Sequence, residues 1–265
     1  MYDFNYHRPS SVAEAASLLA GAEDGKLLSG GQTLIPTLKM RLASPSDVID
    51  LSGIAELSSI TVDGGAVTIG ATTRHADVVA SAEVAGAIPA LAALAESVGD
   101  AQVRNLGSIG GSIANNDPAA DYPAAVLGLD ATVETHKRTI AADDFFTGLF
   151  ETALEDDEII TSVSFPVPAN AGYAKFPQPA SRFALVGVMV ARTGGGVRVA
   201  VTGAGPCVFR VAEMESALSG DFSPGALDGI SIPAEGLNAD IHAGAEYRAH
   251  LVGVMAKRAV AAAGG

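Results

Sequence analysis

The sequence predicts an α+β fold in two domains, and three observations carry that reading. The 265 residues exceed what one compact domain usually needs, and 48% of them are hydrophobic, enough for more than one core. Strand-like and helix-like segments follow one another without regular alternation, unlike a doubly wound parallel sheet. A strand near residue 165 runs into Pro166-Val167-Pro168-Ala169-Asn170, which reads as a junction. The expected division is therefore 1–170, itself in subdomains of about 1–52 and 53–170, and a smaller α+β domain, 171–265, with an antiparallel sheet and helices.

The elements follow in order. Ser11-Val12-Ala13-Glu14 has capping-box spacing, and Val12, Ala15, Ala16 and Leu19 share one helix face that ends at Gly21. Lys26 to Ser29 reads as a buried strand, Gly30-Gly31 as a tight turn, and Thr33 to Leu42 as a helix with Pro36 in its first turn. Val48 to Leu51 is a further strand. Ile60–Val62 and Val67–Ile69 flank Asp63-Gly64-Gly65, a hairpin signal. Helical patterns return at Thr73–Ala80 and Pro89–Ser97. From Gly99 to Asp121 periodicity disappears, and a long irregular segment of this kind is usually functional. Tyr122–Leu129 is helical, Ala131–Thr135 and Ile159–Val167 extended. In the second domain, strands are expected around Tyr173–Phe176, Leu185–Ala191 and Val197–Thr202, with helices at Val211–Ser219 and Ala245–Ala263.

A net charge of −14 argues against nucleic acid and anionic membranes as partners. No stretch approaches the roughly 20 uninterrupted apolar residues that cross a bilayer, and no signal-like segment opens the chain, so a cytoplasmic location is expected. Cys207 is the single cysteine, too few for a disulfide or an iron-sulfur cluster. The five histidines are scattered and form no metal-ligand spacing, so no metal site is expected. His75 reads as a helix-surface residue.

Two glycine turns carry the chemistry: Leu28-Ser29-Gly30-Gly31-Gln32-Thr33 and Ser108-Ile109-Gly110-Gly111-Ser112. Each presents unhindered backbone N–H groups flanked by hydroxyls, and the first adds a helix N-terminus. Such a surface binds phosphate without lysines, which suits an acidic chain. Either turn taken alone is also compatible with an ordinary glycine turn. Leu28-Ser29-Gly30-Gly31-Gln32 matches the signature pentapeptide of ABC-type ATPases, but no Gly-x-x-x-x-Gly-Lys-Ser/Thr loop precedes it. A Rossmann reading fails too, since no Gly-x-Gly-x-x-Gly follows a strand.

Between and after these turns lie Asp100-x-Gln102-Val103-Arg104-Asn105 and Asp117-Pro118-x-x-Asp121. Together with Ser29–Thr33, Ser108–Gly111, Glu158-Ile159-Ile160, Tyr247-Arg248-x-x-Leu251 and Lys257-Arg258-Ala259, they make the chain resemble the flavin subunit of the molybdenum hydroxylase family. That family includes the medium subunit of carbon monoxide dehydrogenase and the FAD domain of xanthine dehydrogenase. The resemblance implies a two-part FAD-binding domain of the vanillyl-alcohol-oxidase/PCMH type. It implies that Leu28, Ser29, Gly30, Gly31, Gln32, Thr33, Leu34 and Ile35, with Ser108, Ile109, Gly110, Gly111 and Ser112, cradle the FAD diphosphate. Asp121 would accept a sugar or ribityl hydroxyl, a role an ionised carboxylate can fill, and Ile160 would pack on the flavin. Asp121 also reads as a helix N-cap, and Arg104 either as a phosphate or subunit contact or as a surface ion pair. Lys175, or else Gln178, is the candidate for the flavin pyrimidine edge, with Arg182 where relatives often carry an acid. Gln32 stands where a covalent histidine anchor could sit, so dissociable FAD is expected, and Gly110→Asp is expected to abolish its retention.

The resemblance further implies an electron-transfer subunit, with the molybdenum cofactor on a large partner and [2Fe-2S] clusters on a small one, assembled as a dimer of heterotrimers. A free-standing FAD-dependent reductase or oxidase and a nonenzymatic assembly subunit compete with this reading.

Overall fold

The computed structural model describes residues 1–265. The N-terminal stretch builds a parallel sheet in the order β1 (Asn5–His7), β3 (Asp47–Asp50), β2 (Gly25–Leu28). The middle strand buries both Val48 and Ile49, and Ile49 anchors a small core with Ala15 and Leu19 of helix α1 (Val12–Gly21). Ser11 caps α1, its Oγ accepting from the Glu14 N–H at 3.2 Å. The Glu14 carboxylate reaches back to the Ser10 N–H at 2.8 Å, one residue earlier than a reciprocal capping box would have it. Strand β1 escaped sequence reading because Asn5, Tyr6 and His7 are not buried and carry no apolar alternation.

From β2 the chain turns at once into helix α2 (Leu34–Lys39). This helix is shorter than the sequence predicts. Arg41 adopts a left-handed φ of 59°, and the Leu42 N–H folds back to the Thr37 carbonyl at 3.0 Å, closing the last turn.

The second part is a five-stranded antiparallel sheet ordered β4, β5, β10, β6, β7: Ile60–Asp63, Ala66–Gly70, Ile160–Pro166, Thr132–Thr135 and Thr139–Ala141. Gly64 and Gly65, with φ of 58° and 81°, supply the paired left-handed residues that a tight hairpin needs. Helices α3 (His75–Ala80), α4 (Ala82–Ala87), α5 (Pro89–Ser97) and α8 (Tyr122–Gly128) share a core with this sheet, in which Leu91, Leu94 and Val126 join Ile69, Val163 and Phe165. The segment expected to be irregular holds two short helices, α6 (Ala101–Arg104) and α7 (Ile109–Asn115), capped by Asp100 and Ser108. Two glycines in α7 give it poor intrinsic propensity, so packing and capping decide its form. A turn of helix α9 (Ala142–Phe145) and the hairpin β8 (Phe146–Gly148) and β9 (Glu151–Thr152) complete this part.

The third part is an antiparallel sheet in the order β11 (Asn170–Pro177), β12 (Ala184–Thr193), β13 (Gly196–Thr202), β14 (Phe209–Arg210), with helices α10 (Ala212–Gly220) and α11 (Ala245–Ala262). Alternation along β12 divides its side chains between two cores. Val186, Val188 and Val190 meet Leu251, Met255 and Ala259 of α11, whereas Met189 and Ala191 join the core of the second part. The sheet is thus buried on both faces, and it is fastened by Arg198, whose guanidinium donates to the Leu127 carbonyl at 2.8 Å and to Asp130 at 2.6 Å. Gly172 lets α11 approach, because a Cβ there would stand 2.1 Å from the Ala259 carbonyl oxygen. No helix is long and apolar enough to cross a membrane.

Candidate functional site

A cavity of about 900 Å³ opens where the three parts meet, at the large end of the usual range for ligand clefts. Of the residues expected at the site, Ser29, Gly30, Gly31, Gln32, Thr33, Leu34, Ser108, Gly110, Gly111, Ser112, Asp121 and Ile160 line it. Leu28, Ile35, Ile109 and Lys175 stand behind the wall. Leu28 and Ile35 pack beneath Gly31, where an added Cβ would meet their side chains at 3.2 and 2.9 Å.

The two glycine turns meet directly. Ser29 Oγ and Ser108 Oγ are 2.7 Å apart, and a Cβ on Gly30 would lie 2.2 Å from the Leu106 carbonyl oxygen. Only glycine permits that approach. The backbone N–H groups from Ser29 through Leu34 find no acceptor in the chain; the first to do so is that of Ile35, which donates to the Gly31 carbonyl at 3.2 Å. Gly31, with φ 67°, helps to turn this run of donors. Unpaired amides at a helix start are an anion site ready-made.

The second turn differs from expectation. Four of its N–H groups are engaged: Ile109 with the Thr73 carbonyl at 3.2 Å, Gly110 with Ala71 at 2.9 Å, Gly111 with Ser108 Oγ at 3.3 Å and Ser112 with the Ser108 carbonyl at 3.0 Å. It offers a side-chain-free wall, with the N-terminal end of α7 behind it, where the first turn offers free donors.

Asp121 is no N-cap. It heads α8 in helical conformation with no capping bond, and its buried carboxylate accepts from the Tyr173 hydroxyl at 2.5 Å and the Lys175 ammonium at 2.9 Å. Burial pushes this carboxyl above the usual carboxylate range, opposed by the Lys175 charge. Lys175 also donates to the Ser97 carbonyl at 2.9 Å, so the cation expected at a flavin edge is committed inside the wall. Gln178 stands outside the cavity lining, its Oε1 accepting from the N–H groups of Ala180 and Ser181 at 2.6 Å each. Its bonds shape the loop whose Arg182 and Phe183 line the cavity. Arg104 donates to the Val98 carbonyl at 3.1 Å.

Two lining residues were missed or misread. His75 is not a surface residue: it is buried, its Nδ1 has no partner, and its ring lies 5.2 Å from that of Tyr122. Burial first, and the charge of Arg104 second, lower its pKa to about 4, so it is neutral near pH 7. Its spacing from Val78, the other buried residue of α3, was the available signal.

Glu158 also lines the cavity, and its buried carboxylate takes two bonds from Arg138 at 2.9 and 3.0 Å and one from Thr135 Oγ1 at 2.7 Å. The Arg138 guanidinium foremost lowers its pKa to about 2, against 4.5 for a free glutamate. The folded state thus keeps the carboxylate ionised where the unfolded chain protonates it, so this stabilisation is present above pH 4.5 and disappears as pH falls toward 2. It is expected to be about 1–3 kcal/mol, discounted because Arg138 is partly exposed. Urea unfolding of Glu158→Gln at pH 7 and pH 3 checks this; the variant should lose less stability on acidification than the wild type, and equal losses would refute the assignment.

The profile described as "FAD binding domain in molybdopterin dehydrogenase" matches residues 2–168. The nicotine 6-hydroxylase medium subunit of Paenarthrobacter nicotinovorans is 38% identical, covering 98% of this chain and 96% of its own length. The carbon monoxide dehydrogenase medium chain of Hydrogenophaga pseudoflava is 36% identical over 98% of this chain and 96% of that one. The solved reconstituted CO dehydrogenase from Oligotropha carboxidovorans superposes with a TM-score of 0.90 at 34% identity, covering 98% of this chain and 97% of that one. By the matched FAD-binding domain and the likeness over nearly the whole length, the chain belongs to the family of FAD-binding subunits of the molybdopterin dehydrogenases.

Proposed function

We propose that this chain is the electron-transfer subunit of a molybdenum hydroxylase complex, receiving electrons that originate at molybdenum on a large partner and arrive through [2Fe-2S] clusters on a small one. It hands them to an external acceptor. FAD is held noncovalently, and when bound it supplies one- and two-electron chemistry. The residues of the chain bind and orient it. The amides from Ser29 to Leu34 take the diphosphate, Gly110 and Gly111 form the facing wall, Asp121 accepts a polyol hydroxyl and Ile160 packs on the ring system. The observation that carries this reading is the unbroken run of unpartnered N–H groups facing a cavity large enough for a dinucleotide. A dimer of heterotrimers and a cytoplasmic location belong to the same proposal, and the names of the medium-chain relatives support its large and small partners.

An absorbance spectrum of the purified chain, before and after acid precipitation, tests the cofactor assignment. FAD is expected in the supernatant. A colourless protein that takes up no added FAD would refute it.

A further inference from the structure

The cavity wall contains a buried ion pair that the binding role leaves unexplained. Tyr173 and Lys175 both lie on β11, beyond residues 2–168 that the FAD-domain profile matches, and both converge on Asp121. The pair is dry: the side chains of Lys175 and Asp121 are 6% and 4% exposed. One carboxylate oxygen takes the tyrosine hydroxyl and the other the ammonium. A carboxylate has about four acceptor sites, so each oxygen keeps a lone pair for a further donor. Asp121 itself reaches the cavity, and neither Tyr173 nor Lys175 does.

We propose that Lys175 and Tyr173 are positioning residues that hold Asp121 ionised and aimed at a polyol hydroxyl of the bound cofactor, so that FAD affinity depends on the C-terminal sheet. Resting on the FAD reading above, the inference concerns how the chain achieves it. Without the ammonium, burial would favour the neutral carboxyl, a weaker acceptor for a hydroxyl donor. Without the Tyr173 hydroxyl, the carboxylate would be free to rotate. A lysine that touched the cofactor itself would act independently of Asp121. One acting through Asp121 would not.

The test is a mutant cycle on the full-length chain, stripped of flavin and titrated with FAD by fluorescence, with the unfolding midpoint followed in parallel. Asp121→Asn and Lys175→Met are each expected to raise the FAD Kd by about tenfold, the difference between a charge-assisted and a neutral hydrogen bond. The double variant is expected to bind no more weakly than Asp121→Asn alone. Tyr173→Phe, which removes one hydroxyl and preserves packing, is expected to weaken binding in the wild-type background and to have no further effect beside Asp121→Asn. Additive losses would overturn the proposal by making Lys175 a direct contact. Lowered midpoints with unchanged Kd in every variant would overturn it by reducing the pair to a structural one. A wild-type chain that binds no FAD would instead refute the cofactor assignment.

Discussion

Gly111→Asp is expected to abolish FAD retention while leaving the fold intact. Gly111 lines the cavity, and a Cβ built there meets only Ser108 Oγ, at 3.1 Å, the hydroxyl that caps α7 and bonds Ser29 Oγ, which need give by only a few tenths of an ångström. The residue occupies the third position of α7 after its Ser108 cap, where an acidic side chain favours a helix. A carboxylate there would face the diphosphate. Two unit charges about 4 Å apart cost about 4 kcal/mol at an effective dielectric of 20, roughly a thousandfold in Kd. Gly110→Asp, which the sequence suggests as the same experiment, is a different one. Its Cβ would stand 2.7 Å from both the Cβ and the carbonyl oxygen of Ala71, so the substitution wedges α7 away from the strand end it rests on. That variant is expected to fail by misfolding. FAD content and unfolding midpoint, measured on both, separate the cases, and a Gly111→Asp protein that keeps its flavin would remove α7 from the diphosphate site.

The contrast shows where sequence reading stops. Glycine turns, a strand running into a helix start and the long apolar strands β12 and β13 are local patterns, and they placed the first turn at the cavity and the C-terminal sheet in its antiparallel form. Which amides remain free is not local. Two donors of the second turn, those of Ile109 and Gly110, are consumed by Thr73 and Ala71, far earlier in the chain, and no spacing within Ser108–Ser112 discloses it. The same holds for Lys175, whose partners Ser97 and Asp121 lie on two other elements, and for Glu158, whose charge is fixed by Arg138 across a sheet edge. Short helices such as α6 owe their form to an Asp100 cap rather than to periodicity, so a window of helical length could not find them.

His75 leads to the second large effect, a loss of stability in mild acid. The unfolded chain protonates this imidazole near its ordinary value of 6.5, whereas the folded chain resists until about pH 4. Between those values the unfolded state binds a proton that the folded state does not, so stability falls as pH falls through the window, and below it both states are charged and no further loss follows. The full effect is about 2–4 kcal/mol, a substantial share of the stability of an ordinary protein. Most of this window lies above the one assigned to Glu158, which opens below pH 4.5, so the two groups can be told apart on a single chain. Urea unfolding of wild type and His75→Leu at pH 7.5, 5.5 and 4.5 is the measurement. The wild type should weaken steeply across the series, and the variant should weaken less by the amount the histidine contributes. Parallel curves would mean that His75 is solvated or paired in solution, and that the cavity wall beside Tyr122 is looser than its packing indicates.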